Sequence, residues 1–296
     1  VVRYLGADVR LVDIDARTFN IDPAGIEAVV TQRTKAIIPV HYGGLAADMP
    51  AILDVARRHD LKVVEDAAHA LPTTSGGALI GTLDSDATVF SFYANKTMTT
   101  GEGGMLVTRN ASLAERARVM RLHGISRDAF DRFTAKVPSW YYEIIAPGFK
   151  YNLTDIAAAL GLQQLRKVRL FQQSRQRIAA AYRGALASLP LVLPPEPLPG
   201  DMHSWHLFVV RLGDAATIGR DAFIERMFAV GIGCSVHYVP LHLQPYWRDR
   251  YGLTPEQFPA SQRAYERLVS LPMYSRMSEA DVARVATAAQ AALAGA

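Results

Sequence analysis

Short apolar runs alternate with longer segments of helical periodicity through the first 125 residues of the chain. The short runs predict strands at 9–12, 36–40, 61–65, 87–92 and 105–107. The longer segments predict helices between these strands, and Asp22-Pro23 and Met49-Pro50 each mark the start of one. Strands that alternate with helices at this spacing predict βαβ units in a mostly parallel sheet.

The second half of the chain has a different pattern. Residues 154–186 predict one long helix, and the segment 189–201 then carries five prolines, which indicates a link between two units. Beyond the link, the pattern predicts strands at 206–212 and 234–238, a helix at 220–230 and a last helix from Ser278. We therefore predict an α/β fold with a large domain at 1–187 and a smaller α+β domain at 188–296.

The first residues look like the middle of a domain. Val1 is followed by VRYLGADVRLVDID, which reads as the end of a helix that continues into a strand. Because α/β domains rarely begin this way, we expect that N-terminal sequence is missing.

Composition narrows the class of protein. Half of the residues are hydrophobic and a fifth are charged, which is typical of a globular protein rather than a disordered or fibrous one. Apolar residues interrupt the densest basic cluster, 116–121, at helical spacing, which favours a solvated helix face over a nucleic-acid surface. Cys234 is the only cysteine, so an intramolecular disulfide is excluded. No apolar run is long enough to span a bilayer and no signal segment opens the chain, so we expect a cytoplasmic protein.

Polar residues with complementary chemistry follow two of the predicted strands. Asp66 comes directly after one strand, with His69 three residues later, and Ser91 lies at the end of another, with Lys96 five residues later. Because ligands bind beyond the carboxyl ends of parallel strands, we expect these side chains to converge. An amine that forms a Schiff base, a carboxylate for the ring nitrogen and a hydroxyl for the phosphate are what pyridoxal 5'-phosphate (PLP) requires.

Each residue also has an ordinary structural interpretation. Asp66 could cap a turn, Lys96 could be a surface lysine and Ser91 could be a capping hydroxyl. His69 could be a satisfied structural histidine, and GEGG at 101–104 could be a tight turn. Spacing alone leaves both interpretations open.

Several motifs carry a resemblance to a known family. VVEDAAHA, FSFYANKTMTTGEGG, PGFKYNLTDIAAALGLQQL, SWHLFVVRL and VPLHLQPYW follow one another in this order across nearly the whole chain. The sequence resembles the DegT/DnrJ/EryC1/StrS family of nucleotide-sugar aminotransferases, and HGISRDAFDR resembles members that make 4-amino-4-deoxy-arabinose on a UDP carrier. The resemblance implies the type I, aspartate-aminotransferase-like PLP fold and a homodimer with active sites shared between subunits.

The same resemblance implies roles for individual residues. Lys96 would hold PLP as a Schiff base, Asp66 would bind the ring nitrogen, and His69 would pack beside the ring. Ser91 would bind the phosphate, and Asn152 would reach the phosphate of the neighbouring subunit's cofactor. Many relatives have Asn-x-Arg where this chain has KYN at 150–152. The resemblance also implies a phosphate-binding Gly-Thr turn in N-terminal sequence that would precede Val1. We therefore expect either that the sequence is a fragment or that the chain binds PLP more weakly than its relatives.

The implied reaction moves an amino group from a donor, glutamate by analogy with the family, to a keto-sugar nucleotide. Sugar-site candidates are His237, Tyr238 and His242 in the segment SVHYVPLHLQP, which reads equally well as a strand and turn of the small domain. A PLP-dependent sugar dehydratase of the same family is one alternative, but it would carry a histidine in place of Lys96. A non-catalytic or regulatory protein with this fold is the second alternative.

Overall fold

The structure is a computed structural model that describes residues 1–126 and 141–294. The strands within these ranges are β1 (Ala36–Ile37), β2 (Lys62–Asp66), β3 (Thr74–Ser75), β4 (Ala78–Leu79), β5 (Ala87–Ser91), β6 (Gly104–Val107), β7 (Leu191–Val192), β8 (Phe208–Leu212) and β9 (Leu268–Leu271). The α-helices are α1 (Pro23–Val29), α2 (Met49–Arg58), α3 (Ala111–Met120), α4 (Asp155–Leu186), α5 (Arg220–Ala229), α6 (Pro245–Tyr251), α7 (Pro259–Tyr265) and α8 (Glu279–Ala294).

The larger sheet has the order β1-β2-β5-β6. Strands β1, β2 and β5 run parallel to one another, and β6 is antiparallel to β5. The prediction of a mostly parallel sheet is therefore confirmed. The second sheet has the order β7-β8-β9 and is antiparallel throughout.

The helices begin close to the predicted positions because nearby side chains accept hydrogen bonds from the first free N–H groups. The carboxylate of Asp22 accepts from Ala24 N–H at the start of α1. One residue ahead of the predicted start of α2, Asp48 accepts from Ala51 N–H. The 32-residue helix α4, predicted at 154–186, begins just after its cap, Thr154.

Two of the predicted strands are wrong. Residues 9–12 pair with no strand within the described residues, although Ile14 forms an isolated bridge to Ile21. Residues 234–238 are also not a strand, since Ser235 alone bridges Ser270. A segment with apolar alternation forms a strand only where a neighbouring strand supplies hydrogen-bond partners for its backbone. Neither segment has such a neighbour over its length.

The first strand is shorter than predicted because proline has no N–H. β1 ends at Ile37, and Pro39 contributes only its carbonyl, which accepts from Asp66 N–H at 2.9 Å. Val40 then forms an isolated parallel bridge to Asp66. The chain after β1 therefore stays beside the carboxyl end of β2.

The buried apolar residues form two clusters. One lies between the larger sheet and helices α1 and α2, with Ile52 and Val63 among its members. The other surrounds the antiparallel sheet, with Phe208, Phe223 and Val269 at its centre. Helix α4 contributes Val168 to the first cluster and Ile178 to the second, so it connects the two. The domain boundary at 187/188 stays a prediction.

Candidate active site

Asp66 and Ser91 lie on one face of the larger sheet, at the carboxyl ends of adjacent strands. Asp66 is the last residue of β2 and pairs with Val89 of β5, and Ser91 lies two residues beyond Val89. Because side chains alternate between the two faces of a strand, both side chains point to the same face. The Asp66 carboxylate accepts from Ala68 N–H at 3.0 Å, and the Ser91 hydroxyl accepts from Tyr93 N–H at 3.3 Å.

Lys96 lies in the loop between β5 and β6, and its side chain is half-buried. Its backbone N–H donates to Tyr93 O at 3.0 Å, which closes the turn that follows Ser91. Burial lowers the pKa of the Lys96 amine, and the carboxylate of Asp66 acts in the opposite direction. Lys96 is therefore within electrostatic range of Asp66, in an environment that favours the neutral, nucleophilic amine.

His69 is buried beside these groups in a defined tautomer. Its Nδ1 accepts from Gly43 N–H at 3.3 Å, so the ring proton is on Nε2. Its ring centroid lies 4.3 Å from that of His206. Burial lowers the pKa of His69 to about 3, with further contributions from Lys96 and His237. The ring is therefore neutral at physiological pH.

Two of the three sugar-site candidates lie near this cluster. His237 is half-buried, and its Nδ1 is 2.7 Å from Ser270 Oγ. Its pKa is lowered by burial and then by the charge of Lys96. Tyr238 is exposed, and burial of part of its ring and the carboxylate of Asp66 raise the pKa of its hydroxyl.

The third candidate, His242, is buried in a different environment. It lies in the 3₁₀ turn Leu241–Leu243, where its ring stacks on Phe258 at a centroid distance of 5.0 Å. Its Nε2 is 3.1 Å from Gln262 Oε1. The contacts of His242 are thus with the small unit, and its role in binding sugar stays a prediction.

Asn152 lies just before α4, and its own-chain partner is Lys150, whose amine hydrogen-bonds to the Asn152 side-chain oxygen. Apolar side chains around it are exposed, including Tyr151 at 74% and Ile156 at 86%. The motif HGISRDAFDR, which begins at His123, lies in part outside the described residues. The structure of this chain alone brings Asp66, His69, Ser91 and Lys96 to one region and leaves Asn152 at a surface.

Sequence reasoning missed Tyr42. It belongs to the turn Tyr42–Gly44, which follows the predicted strand at 36–40. Its hydroxyl donates to the backbone oxygen of His237, and burial raises the pKa of that hydroxyl. The rule that placed Asp66 and Ser91, interest in residues directly after strands, applies to PVHYGG as well and could have found it.

Neither a metal-binding cluster nor a membrane-spanning helix is found in the described part of the chain. Within residues 1–126 and 141–294, no three or more histidine, cysteine, aspartate or glutamate side chains are grouped so that they could hold a metal ion. Across the same ranges, no helix is long and apolar enough to cross a membrane.

Comparisons with known proteins identify one family of aminotransferases. A model described as the DegT/DnrJ/EryC1/StrS aminotransferase family matches residues 1–290. SpsC, a spore coat polysaccharide biosynthesis protein of Bacillus subtilis, is 44% identical over 281 residues, which are 94% of this chain and 72% of SpsC.

Solved structures of a sugar aminotransferase superpose on nearly the whole of this chain. Spr1654 from Streptococcus pneumoniae in its PMP form superposes with a TM-score of 0.91 at 29% identity, covering 99% of this chain and 78% of that chain. Its PLP form gives a TM-score of 0.88 at 28% identity, with the same coverage. DesI, solved in the presence of its TDP-sugar product, gives 0.84 at 32% identity, covering 99% of this chain and 71% of that chain. These overlaps confirm the predicted fold class.

Proposed function

Because this chain belongs to the DegT/DnrJ/EryC1/StrS aminotransferase family, we propose that it transfers an amino group from glutamate to a keto-sugar carried on a nucleotide. The coarser class, a PLP-dependent sugar aminotransferase, is established, and it confirms the cofactor predicted from the sequence. The nucleotide carrier and the glutamate donor belong to the proposal. The TDP-sugar of DesI supports a nucleotide carrier. The predicted cytoplasmic location stays a prediction.

The observation that carries the proposal is the half-buried amine of Lys96 in range of the Asp66 carboxylate. A desolvated amine and a nearby carboxylate at the rim of a parallel sheet match the donor set that PLP requires. When bound, PLP supplies an electron sink for the electron pair left by removal of a substrate proton. Lys96 would hold its aldehyde carbon and Asp66 would keep its ring nitrogen protonated.

The remaining predicted residues would orient the cofactor. The neutral ring of His69 is fixed by Gly43 and would pack beside the pyridine ring without adding charge there. The hydroxyl of Ser91, on the same sheet face as Asp66, would donate to the phosphate. These residues fit the cofactor because the groups it needs lie at one edge of the sheet.

Lys96 would also move the proton. Its free amine would act as the general acid and base that accepts the proton removed from the substrate carbon and later gives it back. Because burial lowers the pKa of Lys96, a larger fraction of the free amine is neutral near physiological pH than for an exposed lysine. This is the protonation state that a general base needs.

The acceptor would enter past His237 and Tyr238. The half-buried imidazole and the exposed phenol are suited to hydrogen bonds with sugar hydroxyls, and both lie within electrostatic range of the Lys96–Asp66 pair. His242 would contribute through the turn that follows them. The polar tips and apolar rings of such residues are typical of small-molecule sites.

We also propose a homodimer with shared sites. Asn152 lies close in sequence to the exposed apolar side chains of Tyr151 and Ile156, and α4 exposes further apolar side chains at Leu160, Leu162 and Leu165. A contiguous exposed apolar surface is typical of a protein interface. A second copy seated there would bring its Asn152 toward the phosphate of the neighbouring cofactor.

The test is an assay of the protein against a panel of keto-sugar nucleotides with glutamate, glutamine and alanine as donors. We expect amino-sugar nucleotide and 2-oxoglutarate to form in equal amounts. Loss of a sugar hydroxyl without consumption of the donor would instead support the dehydratase alternative. Binding of PLP without turnover of any substrate in the panel would favour the regulatory alternative.

A further inference from the structure

Glu65 and His41 form a pair that is completely buried beneath the candidate active site. Both side chains are 0% exposed, and His41 Nε2 is 2.9 Å from Glu65 Oε2. The other carboxylate oxygen of Glu65 accepts from Thr88 Oγ1 at 2.7 Å and from the Ser85 hydroxyl. Since Glu65 precedes Asp66 in β2, its side chain points to the opposite face of the sheet from Asp66.

The hydrogen bonds define the charge state of the pair. His41 Nδ1 accepts from Ala47 N–H at 3.0 Å, so the ring proton is on Nε2, where it is donated to Glu65. His41 is then neutral and Glu65 is an anion with three donors. Burial acts to raise the pKa of Glu65, but the hydrogen bonds from His41, Ser85 and Thr88 outweigh it and leave the pKa below its ordinary value.

The pair is connected to the active-site residues through the backbone. His41 N–H donates to Asp66 O at 3.1 Å, which ties His41 to the end of β2. The turn that begins directly after His41 supplies the Gly43 N–H that His69 Nδ1 accepts. It also supplies Tyr42, whose hydroxyl donates to the backbone oxygen of His237.

The turn has little room to move. Gly43 and Gly44 have φ values of 63° and 101°, which only glycine adopts readily. A Cβ at Gly44 would lie 1.9 Å from Ser204 Oγ and 3.0 Å from His69 O. A displacement of His41 would therefore be transmitted to His69 and to His237.

We propose that the buried Glu65–His41 pair positions the Tyr42–Gly44 turn, and through it the tautomer of His69 and the contact of Tyr42 with His237. Glu65 is thus a positioning residue of the reaction, although it touches neither substrate nor cofactor. The inference rests on the proposed function for its effect on catalysis, but its effect on His69 concerns this chain alone.

The test compares the wild-type chain with Glu65→Gln. This variant keeps the size of the side chain but replaces an acceptor oxygen by an amide donor, which faces Nε2–H or a hydroxyl. Nitrogen-15 NMR of the histidine side chains, recorded without cofactor, should show Nε2–H tautomers for His41 and His69 in the wild type. In Glu65→Gln we expect His69 to lose its single tautomer, because the Gly43 donor has moved.

With PLP bound, the visible absorbance of the cofactor in Glu65→Gln should shift, and kcat/KM should fall about ten- to a hundredfold, the cost of misplacing a reacting group. Tyr182→Phe is the control, since Tyr182 belongs to the other apolar cluster and the change removes its partly buried hydrogen bond to Pro272 O. It should lower stability but leave the His69 tautomer and the absorbance unchanged. Ser85→Ala, which removes one of the three donors, should give a smaller change of the same kind and serves if Glu65→Gln does not fold.

A folded Glu65→Gln or Ser85→Ala protein with the wild-type His69 tautomer and absorbance would overturn the inference, even if activity falls. A tautomer change in Tyr182→Phe equal to that in Glu65→Gln would do the same. If the wild type transaminates no sugar nucleotide, the proposed function fails, while the NMR comparison still decides the positioning role.

Discussion

Acid should destabilise this protein above the pH at which its carboxylates titrate, because several histidines are buried in the neutral form. His203 is the simplest case. It is 3% exposed, its Nδ1 accepts from Trp205 N–H at 2.8 Å, and its ring lies parallel to the Trp205 ring at a centroid distance of 3.9 Å. Burial lowers the pKa of His203 from 6.5 to about 3.

The direction in which pH changes the free energy of unfolding follows from proton binding. Below pH 6.5 the histidine of the unfolded chain takes up a proton that the folded chain excludes. The free energy of unfolding therefore decreases as the pH is lowered. The contribution of neutral His203 to the free energy of unfolding is fully present above pH 6.5 and is lost progressively as the pH falls toward about 3. At about pH 5, a histidine with these two pKa values costs about 2 kcal/mol. His69, whose pKa is also about 3, adds a similar amount. Together they cost about 4 kcal/mol, against a typical total of roughly 5–15 kcal/mol.

The assay is urea denaturation of the wild type and of His203→Asn at several pH values between about 7.5 and 5. Asparagine keeps an acceptor near the position of Nδ1 but does not titrate. Between the two ends of this pH range, the free energy of unfolding of His203→Asn should therefore decrease by about 2 kcal/mol less than that of the wild type. Gln172→Ala is the control, because it removes a hydrogen bond to His203 O at 3.1 Å without removing a titrating group. Its curve should run parallel to that of the wild type. If His203→Asn also runs parallel to the wild type, the reasoning from burial is wrong.

Three further predictions concern the proposed site. Lys96→Ala should abolish transamination and the visible absorbance of bound PLP, whereas Lys62→Ala, an exposed lysine of β2, should change neither; turnover by Lys96→Ala would refute its role. Asp66→Asn should lower kcat by roughly a hundredfold or more while the dissociation constant of PLP, measured by titration, changes much less, since the other cofactor contacts remain; near-normal kcat would disprove the contact with the ring nitrogen. Mixed Lys96→Ala and Asn152→Ala subunits should recover part of the activity that each lacks, because one site of each hybrid dimer has both residues; no recovery after verified subunit exchange would exclude a shared site.

The sequence alone was sufficient wherever the determining interaction is local. Helix α1 begins where Asp22 and Pro23 are adjacent, and α2 begins at Met49 between Asp48 and Pro50, because each cap is made within three residues. Asp66 and Ser91 could be placed at strand ends, and hence at one edge of the sheet, because the alternation of strands and helices implies parallel strands. The family resemblance added the cofactor and the class of reaction, neither of which spacing could decide.

Tertiary structure decided what depends on partners distant in the sequence. Residues 9–12 and 234–238 have strand-like patterns but no strand beside them over their length, and pairing is a property of the neighbour rather than of the segment. The tautomer of His69 depends on an N–H 26 residues away, and the anion of Glu65 depends on a histidine 24 residues away. Such contacts leave no periodic signal in the sequence, because a buried polar group is satisfied by whichever chain segment the fold brings next to it.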